Sequence, residues 1–78
     1  MKNLIRIINN LEEGVVYIDA PFSYGFNQAL MSHRLTRQNE NPWDVDRNMW
    51  RTTATNLSEV EDVLTYYFPN IPATYKEE

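Results

Sequence analysis

Residues 56–69, NLSEVEDVLTYYFP, hold the clearest secondary-structure signal in the chain. Apolar side chains recur there at helical spacing, and Pro69 ends the run. Two overlapping capping boxes are available at its start: Asn56 with Glu59, or Ser58 with Glu61. The segment therefore predicts a helix over residues 57–68. Its apolar stripe consists of Leu57, Val60, Val63, Leu64, Tyr67 and Phe68.

Two further elements are indicated upstream of this helix. The run from Val15 to Asp19 is β-branched and aromatic and stops before Pro21, which predicts a short strand over residues 15–19. Residues 23–36 predict a second helix with Ser23 as its N-cap. Its expected apolar face consists of Phe22, Phe26, Ala29, Leu30 and His33.

Residues 3–13 are compatible with two secondary structures. As a helix, the segment is capped by Asn3 and ended by Gly14. As a strand, its isoleucines favour a pleated surface, and it pairs with residues 15–19 through a short loop. Acidic residues at 12 and 13 oppose the dipole of a helix C-terminus. The helix is nonetheless the slightly favoured expectation.

Residues 42–55 are ambiguous in the same way. Asn41 followed by Pro42 is typical of a helix start, which predicts a short helix and then an extended run from Thr52 to Thr55. The alternative is a strand from Met49 to Thr53 that pairs with residues 15–18.

These elements predict an α+β fold. We expect residues 1–72 to form a single compact domain of two to four short helices packed on a two- or three-stranded antiparallel sheet that includes residues 15–19. Residues 73–78 are expected to be a short acidic tail. With 78 residues the chain is too short for two cores, and a domain of this size is only marginally stable by itself.

Composition excludes several classes of protein. The chain has no cysteine, so it has no disulfide, thiol nucleophile or zinc–thiolate site. It contains no apolar run of membrane-spanning length, and its N-terminus lacks the features of a secretory signal. We therefore expect a cytoplasmic protein.

Candidate sites for catalysis or metal binding are incomplete. Residues 44–48 match the first five positions of a calcium loop, but Met49 replaces its glycine and Thr55 its bidentate glutamate. His33 is the single histidine, which by itself makes neither a metal site nor an acid–base pair. We predict no catalytic residue, metal or cofactor. A small enzyme or enzyme subunit using His33 as acid or base is kept as an alternative.

Charge and aromatic residues point instead to binding. The net charge is −4, and residues 52–78 alone have one lysine against five acidic residues. Tryptophan, tyrosine and arginine are enriched at protein interfaces, and both tryptophans and four of the arginines lie within residues 34–51. The alternative, which stays open, is that both tryptophans are buried in the core and take no part in binding. The predicted partner-binding residues are Glu59, Glu61, Asp62, Tyr66, Trp43, Trp50, Arg47 and Arg51.

In size, acidity, lack of cysteine and aromatic content, the chain resembles the small inhibitors that phages use against host machinery, including anti-CRISPR and other anti-defence proteins. The resemblance implies a non-enzymatic inhibitor or regulator that docks on a basic surface of a larger protein, such as one that binds nucleic acid. The negative charge disfavours nucleic acid itself as the partner. The alternative is a single-stranded nucleic-acid binder that uses the arginine- and tryptophan-rich residues 34–51. A small core also makes self-association conceivable.

Overall fold

The computed structural model describes residues 4–33 and 41–78, with the side chain of His33 left out. It is a small α+β domain in which two helices cover one face of a five-stranded mixed sheet. The strands are β1 (Ile5–Asn10), β2 (Val15–Asp19), β3 (Trp43–Asp44), β4 (Met49–Thr52) and β5 (Ala73–Glu77). The helices are α1 (Tyr24–His33) and α2 (Leu57–Tyr67), and a 3-10 turn at Ala54–Asn56 leads into α2.

The strand order is β3-β4-β2-β1-β5. Neighbouring strands are antiparallel except β5, which runs parallel to β1. The α+β class and the strand at 15–19 are thus confirmed. The expected antiparallel sheet of two or three strands is too small, because four other strands, β1, β3, β4 and β5, join β2 in one sheet.

The N-terminal segment is a strand, so the favoured helix over residues 3–13 is wrong. Its β-branched run pairs with β2 in a hairpin whose register places Arg6 opposite Asp19. An Arg6 Nη2 to Asp19 Oδ2 contact of 2.7 Å fixes that register. Gly14, with φ of 69°, provides the left-handed residue that closes the hairpin turn instead of ending a helix.

The expected helix from residue 42 is also wrong, because this segment is the β3–β4 hairpin. The Asn41 side chain does accept a hydrogen bond from the Trp43 N–H at 2.9 Å, as a cap would, but the chain then extends. Asn48, with φ of 58°, closes the turn in a conformation that asparagine tolerates. β4 then pairs with β2, which confirms the strand alternative.

The expected tail at residues 73–78 is a strand over most of its length. After α2, Pro69 and Pro72 stop regular structure and return the chain along β1. Hydrogen bonds at both ends of this ladder hold β5: Ile5 N to Pro72 O at 3.0 Å, and Glu78 N to Asn9 O at 2.9 Å. All five side chains of β5 are exposed, so backbone pairing rather than burial makes it a strand.

Both predicted helices are present, with different caps. Residues 34–36 of the first prediction lie outside the described part of the chain, and α2 ends at Tyr67, one residue before its predicted end. The Ser23 Oγ accepts the N–H of Phe26 at 3.3 Å, as expected of a cap for α1. Asn56 occupies the N-cap of α2 but its side chain caps nothing. Thr53 caps the preceding 3-10 turn instead, since its Oγ1 accepts the Asn56 N–H at 3.3 Å. Neither of the two predicted capping boxes therefore forms at the start of α2.

The main core lies between the helices and one face of the sheet. Phe26 and Val60 are fully buried there against Ile18. Phe22, which was expected on the same face as Phe26, is 85% exposed because α1 begins only at Tyr24. A second apolar cluster, formed by Ile8, Val15, Tyr17 and half-buried Met49, lies on the opposite side of the sheet, which we call the open face. Neither helix of the described ranges is long and apolar enough to cross a bilayer.

Candidate functional site

Three of the predicted binding residues share one side of α2. Glu59, Asp62 and Tyr66 are spaced by three and four residues, so they follow each other along the helix surface, and all three are exposed. We call this side the α2 outer face. Neither Glu59 nor Asp62 forms an ion pair with any residue that the structure describes. Two carboxylates and a phenol ring are therefore presented together to solvent.

Glu61 lies on a different side of α2 from its acidic neighbours. It is half-buried and faces β5, where it accepts a hydrogen bond from the Tyr75 hydroxyl. This hydrogen bond is the main cause that raises the pKa of Tyr75 above its ordinary value of 10.0. Glu61 thus links α2 to the edge of the sheet and is not part of the α2 outer face.

Exposed aromatic side chains lie on α2 and at the start of α1, two elements that meet where Tyr67 lies against Gly25. Tyr66 is 77% exposed and packs edge-to-face on Tyr67, with ring centroids 4.8 Å apart. Tyr67 in turn lies against Gly25, where a methyl group would come within 2.5 Å of its ring. Gly25 follows Tyr24, which is also exposed. We call Phe22, Tyr24, Tyr66 and Tyr67 the aromatic patch.

Sequence reasoning named only Tyr66 of the aromatic patch. A usable signal was the position of Tyr66, which lies off the apolar stripe of α2 although Tyr67 and Phe68 belong to it. The exposure of Phe22 and Tyr24 could not be predicted without knowing where α1 begins. That boundary decides whether each ring lies on the buried face of the helix or in the loop before it.

The two tryptophans lie on β3 and β4, at the edge of the sheet opposite β5. Trp50 is 8% exposed and belongs to the main core, and Trp43 is half-buried against it at a centroid distance of 4.9 Å. The structure therefore does not bring either ring to the α2 outer face. With so little exposed surface, Trp50 also has no free ring face on which a nucleic-acid base could stack.

Arg47 is held on the open face of the sheet. Its guanidinium lies 4.1 Å from the centre of the Tyr17 ring and 2.9 Å from a carboxylate oxygen of Glu78. The Glu13 carboxylate accepts hydrogen bonds from the Tyr17 hydroxyl at 3.1 Å and from the Asn10 amide at 2.7 Å. We call Asn10, Glu13, Tyr17, Arg47 and Glu78 the Arg47 cluster. It ties the β3–β4 turn to the middle of the sheet.

Arg51 is engaged within its own hairpin. Its Nε donates to the backbone oxygen of Asn41 at 2.7 Å, and its Nη1 lies 3.6 Å from Asp44. Both predicted binding arginines thus have intramolecular partners, and we interpret them as structural.

The partial calcium motif is a turn. Asp44 Oδ1 accepts the backbone N–H groups of Asp46 and Arg47 at 3.0 and 3.1 Å, so the aspartate closes the β3–β4 hairpin. No group of three or more possible metal ligands occurs in the ranges 4–33 and 41–78. The side chain of His33, and all of Arg34 and Arg37, lie outside the described part of the chain.

The Arg47 cluster makes a testable prediction about pH. Burial, followed by the hydrogen bond with Glu13, raises the pKa of Tyr17 above its ordinary value of 10.0. The folded state therefore holds this proton more tightly than the unfolded chain does. Its contribution to stability is complete below pH 10 and is lost as the pH rises through the folded-state pKa.

We expect the free energy of unfolding, measured in urea at successive pH values, to fall above pH 10 and to fall less steeply in Tyr17→Phe. At neutral pH the substitution should cost about 1 kcal/mol through the lost hydrogen bond. Tyr24→Phe, at an exposed tyrosine, is the matched control. Equal slopes for wild type and Tyr17→Phe would contradict the prediction.

Comparison with protein-family models, curated proteins and solved structures found no match for the chain.

Proposed function

We propose that the protein is a non-enzymatic binding module, a small acidic inhibitor or regulator that docks on a basic surface of a larger protein. The contact surface is the α2 outer face together with the aromatic patch. This proposal keeps Glu59, Asp62 and Tyr66 from the sequence-based set. It assigns Trp43, Trp50, Arg47 and Arg51 to the structure of the domain.

The observation that carries the proposal is the exposure of the aromatic patch. Phe22, Tyr24 and Tyr66 are each more than 70% exposed, although large aromatic rings contribute most when they are buried. Clustered exposed apolar surface marks interaction sites in soluble proteins, and tyrosine is enriched among the residues that dominate binding energy. These rings therefore supply the apolar centre of a docking surface.

The charge of the same surface indicates the chemistry of the partner. Glu59 and Asp62 lie beside Tyr66, and the chain as a whole has a net charge of −4. Complementary charge at the rim of an interface steers association and excludes wrong partners. A partner with lysine or arginine around an apolar centre fits this surface, and a surface that normally binds nucleic acid has that character. In this respect the protein would act as small phage-encoded inhibitors do.

Charge reversal on the α2 outer face tests the proposal. The double variant Glu59→Lys/Asp62→Lys is compared with Glu12→Lys/Asp46→Lys, which changes two exposed acidic residues in the hairpin turns by the same total charge. Proteins captured from lysate by the wild-type chain are identified by mass spectrometry. Binding of the purified captured protein to each variant is then measured over a range of salt concentrations.

We expect the α2 variant to bind at least about tenfold more weakly, because each lost charge pair and the new repulsion slow association and speed dissociation. The turn variant should bind nearly as the wild type does, and wild-type affinity should fall with added salt. If both double variants bind equally, or if affinity is independent of salt, the acidic docking surface is wrong. Circular dichroism confirms that each variant is folded.

A further inference from the structure

Within residues 4–33 and 41–78 no strand pairs with the outer side of β5, so this edge of the sheet exposes a row of backbone groups. The bonds Ile5 N to Pro72 O and Glu78 N to Asn9 O fix the phase of the ladder with β1. In a parallel ladder with this phase, the even-numbered residues of β5 bond to β1, and the odd-numbered ones direct N–H and C=O away from it. Ala73, Tyr75 and Glu77 therefore present three donors and three acceptors along the edge. The opposite edge strand, β3, has only two residues.

A small pocket opens between α2 and the start of this edge. Its volume is about 120 Å³, and its walls are mainly apolar. On the helix side it is bounded by Leu64, Thr65 and Phe68, and on the strand side by Ile71 and Ala73. Glu61 forms its polar end, beside the hydroxyl of Tyr75.

The two sides of the edge differ in charge. Side chains alternate along a strand, so Ala73, Tyr75 and Glu77 lie on the side of the helices, together with Glu61. Lys76 lies on the open face with Thr74. A segment added to this edge would therefore meet a pocket and two carboxylates on the side of the helices. On the open face it would meet Lys76 and, at the end of the edge, Glu78, whose charge is paired with Arg47.

We infer that the β5 edge binds an extended basic segment of a partner protein as a sixth strand. In the antiparallel arrangement, the residue opposite Ala73 is apolar and enters the pocket. Residues opposite Tyr75 and Glu77 are basic and pair with Glu61, the Tyr75 ring and Glu77. Strand addition of this kind draws affinity from main-chain hydrogen bonds and specificity from pockets for alternate side chains. The inference uses a different surface from the proposed function and does not depend on it.

A peptide of matching pattern tests the inference. The probe is the capped peptide Thr-Arg-Thr-Arg-Thr-Leu-Thr, and its control carries glutamate in place of both arginines. Each is titrated to about 1 mM, the range for weak binding by a short segment, into the isotope-labelled 78-residue chain. Amide chemical shifts and amide hydrogen exchange are recorded by NMR.

We expect saturable shifts at the amides of Ala73, Tyr75 and Glu77, and slower exchange of these amides, with the basic peptide only. No shift, shifts limited to the α2 outer face, or equal shifts with the acidic peptide would overturn the inference. Protection of the same amides that rises with protein concentration in the absence of peptide would also overturn it, by assigning the edge to a second copy of the chain.

A pair of variants separates the backbone contact from the side chain. Glu77→Pro and Glu77→Ala both lose the carboxylate, but only proline also loses the outward N–H, and proline is tolerated where that group does not pair within the sheet. We expect the peptide to bind about three- to tenfold more weakly to Glu77→Pro than to Glu77→Ala, the effect of one lost hydrogen bond. Equal affinity for both would show that no strand is added at this position. Both variants retain the α2 outer face, so this result is independent of the charge-reversal test.

Discussion

Replacing Phe26 by alanine should lower the free energy of unfolding by about 3–5 kcal/mol, the usual cost of removing a buried aromatic ring. Phe26 has no exposed surface. Its ring makes edge contacts with Trp50, Tyr67 and Phe68, at centroid distances of 6.2, 6.5 and 5.3 Å. It therefore joins β4 and both helices in one packing unit. Because native domains have total stabilities of about 5–15 kcal/mol, a loss of this size removes a large fraction of the total.

Urea unfolding followed by circular dichroism measures this effect. Phe22→Ala is the matched control, since it removes the same ring from a position that is 85% exposed. Its cost should stay within about 0.5 kcal/mol, as for other surface substitutions. Phe26→Leu, which keeps most of the apolar volume, should cost less than Phe26→Ala. Similar costs for Phe22→Ala and Phe26→Ala would contradict the packing described for α1.

Trp50→Ala should also destabilise the domain by about 3–5 kcal/mol, because Trp50 is a core residue. Its ring is 8% exposed and is packed between Phe26 and Trp43. Trp43→Ala should cost less, since Trp43 is half-buried and lies on the two-residue edge strand β3. Any loss of partner binding in Trp50→Ala should therefore follow the loss of folded protein.

The same urea experiment, combined with the binding assay for the captured partner, checks this prediction. Trp50→Phe should retain the wild-type affinity and most of the stability. A Trp50→Ala variant that unfolds like the wild type but no longer binds would return Trp50 to the docking surface. That result would favour the original sequence-based set of binding residues.

Elements with one dominant local pattern could be predicted from the sequence. The stripe in α2 admits a single face, and Val60 and Leu64 are the buried residues on it. β2 is buried along its whole length, as its continuous β-branched and aromatic run indicates. In both elements local preference and tertiary packing agree.

The remaining strands depend on partners distant in sequence. In residues 3–13 the apolar residues Leu4, Ile5, Ile8 and Leu11 fit one side of a helix. The isoleucines at 5, 7 and 8 equally fit the two sides of a strand, and pairing with β2 and β5 selects the strand. The hydrogen bond from the Trp43 N–H to the Asn41 side chain is compatible with a helix start and also with the observed strand, so Asn41 does not distinguish the two. β5 has no buried residue at all, so no hydrophobic period could reveal it. Tertiary pairing decided each of these segments.

The candidate site was predictable to the same extent. The spacing of Glu59, Asp62 and Tyr66 is a property of the helix itself, so the structure places them on one side of α2, and their role in binding stays a prediction. The environment of Arg47 depends on a hairpin turn that carries it over Tyr17, which composition does not encode. For such a residue, type alone therefore does not indicate whether the side chain serves the fold or an interface.

The parallel pairing of β5 with β1 joins segments from opposite ends of the described chain. Closing so long a loop is slow, so this strand should dock late during folding. It should also be among the first to fray, because it buries no side chain. Detachment of β5 would expose the edge of β1, an isoleucine-rich strand whose unpaired backbone groups could pair with another chain. We therefore expect that conditions which detach β5 also favour aggregation of the domain.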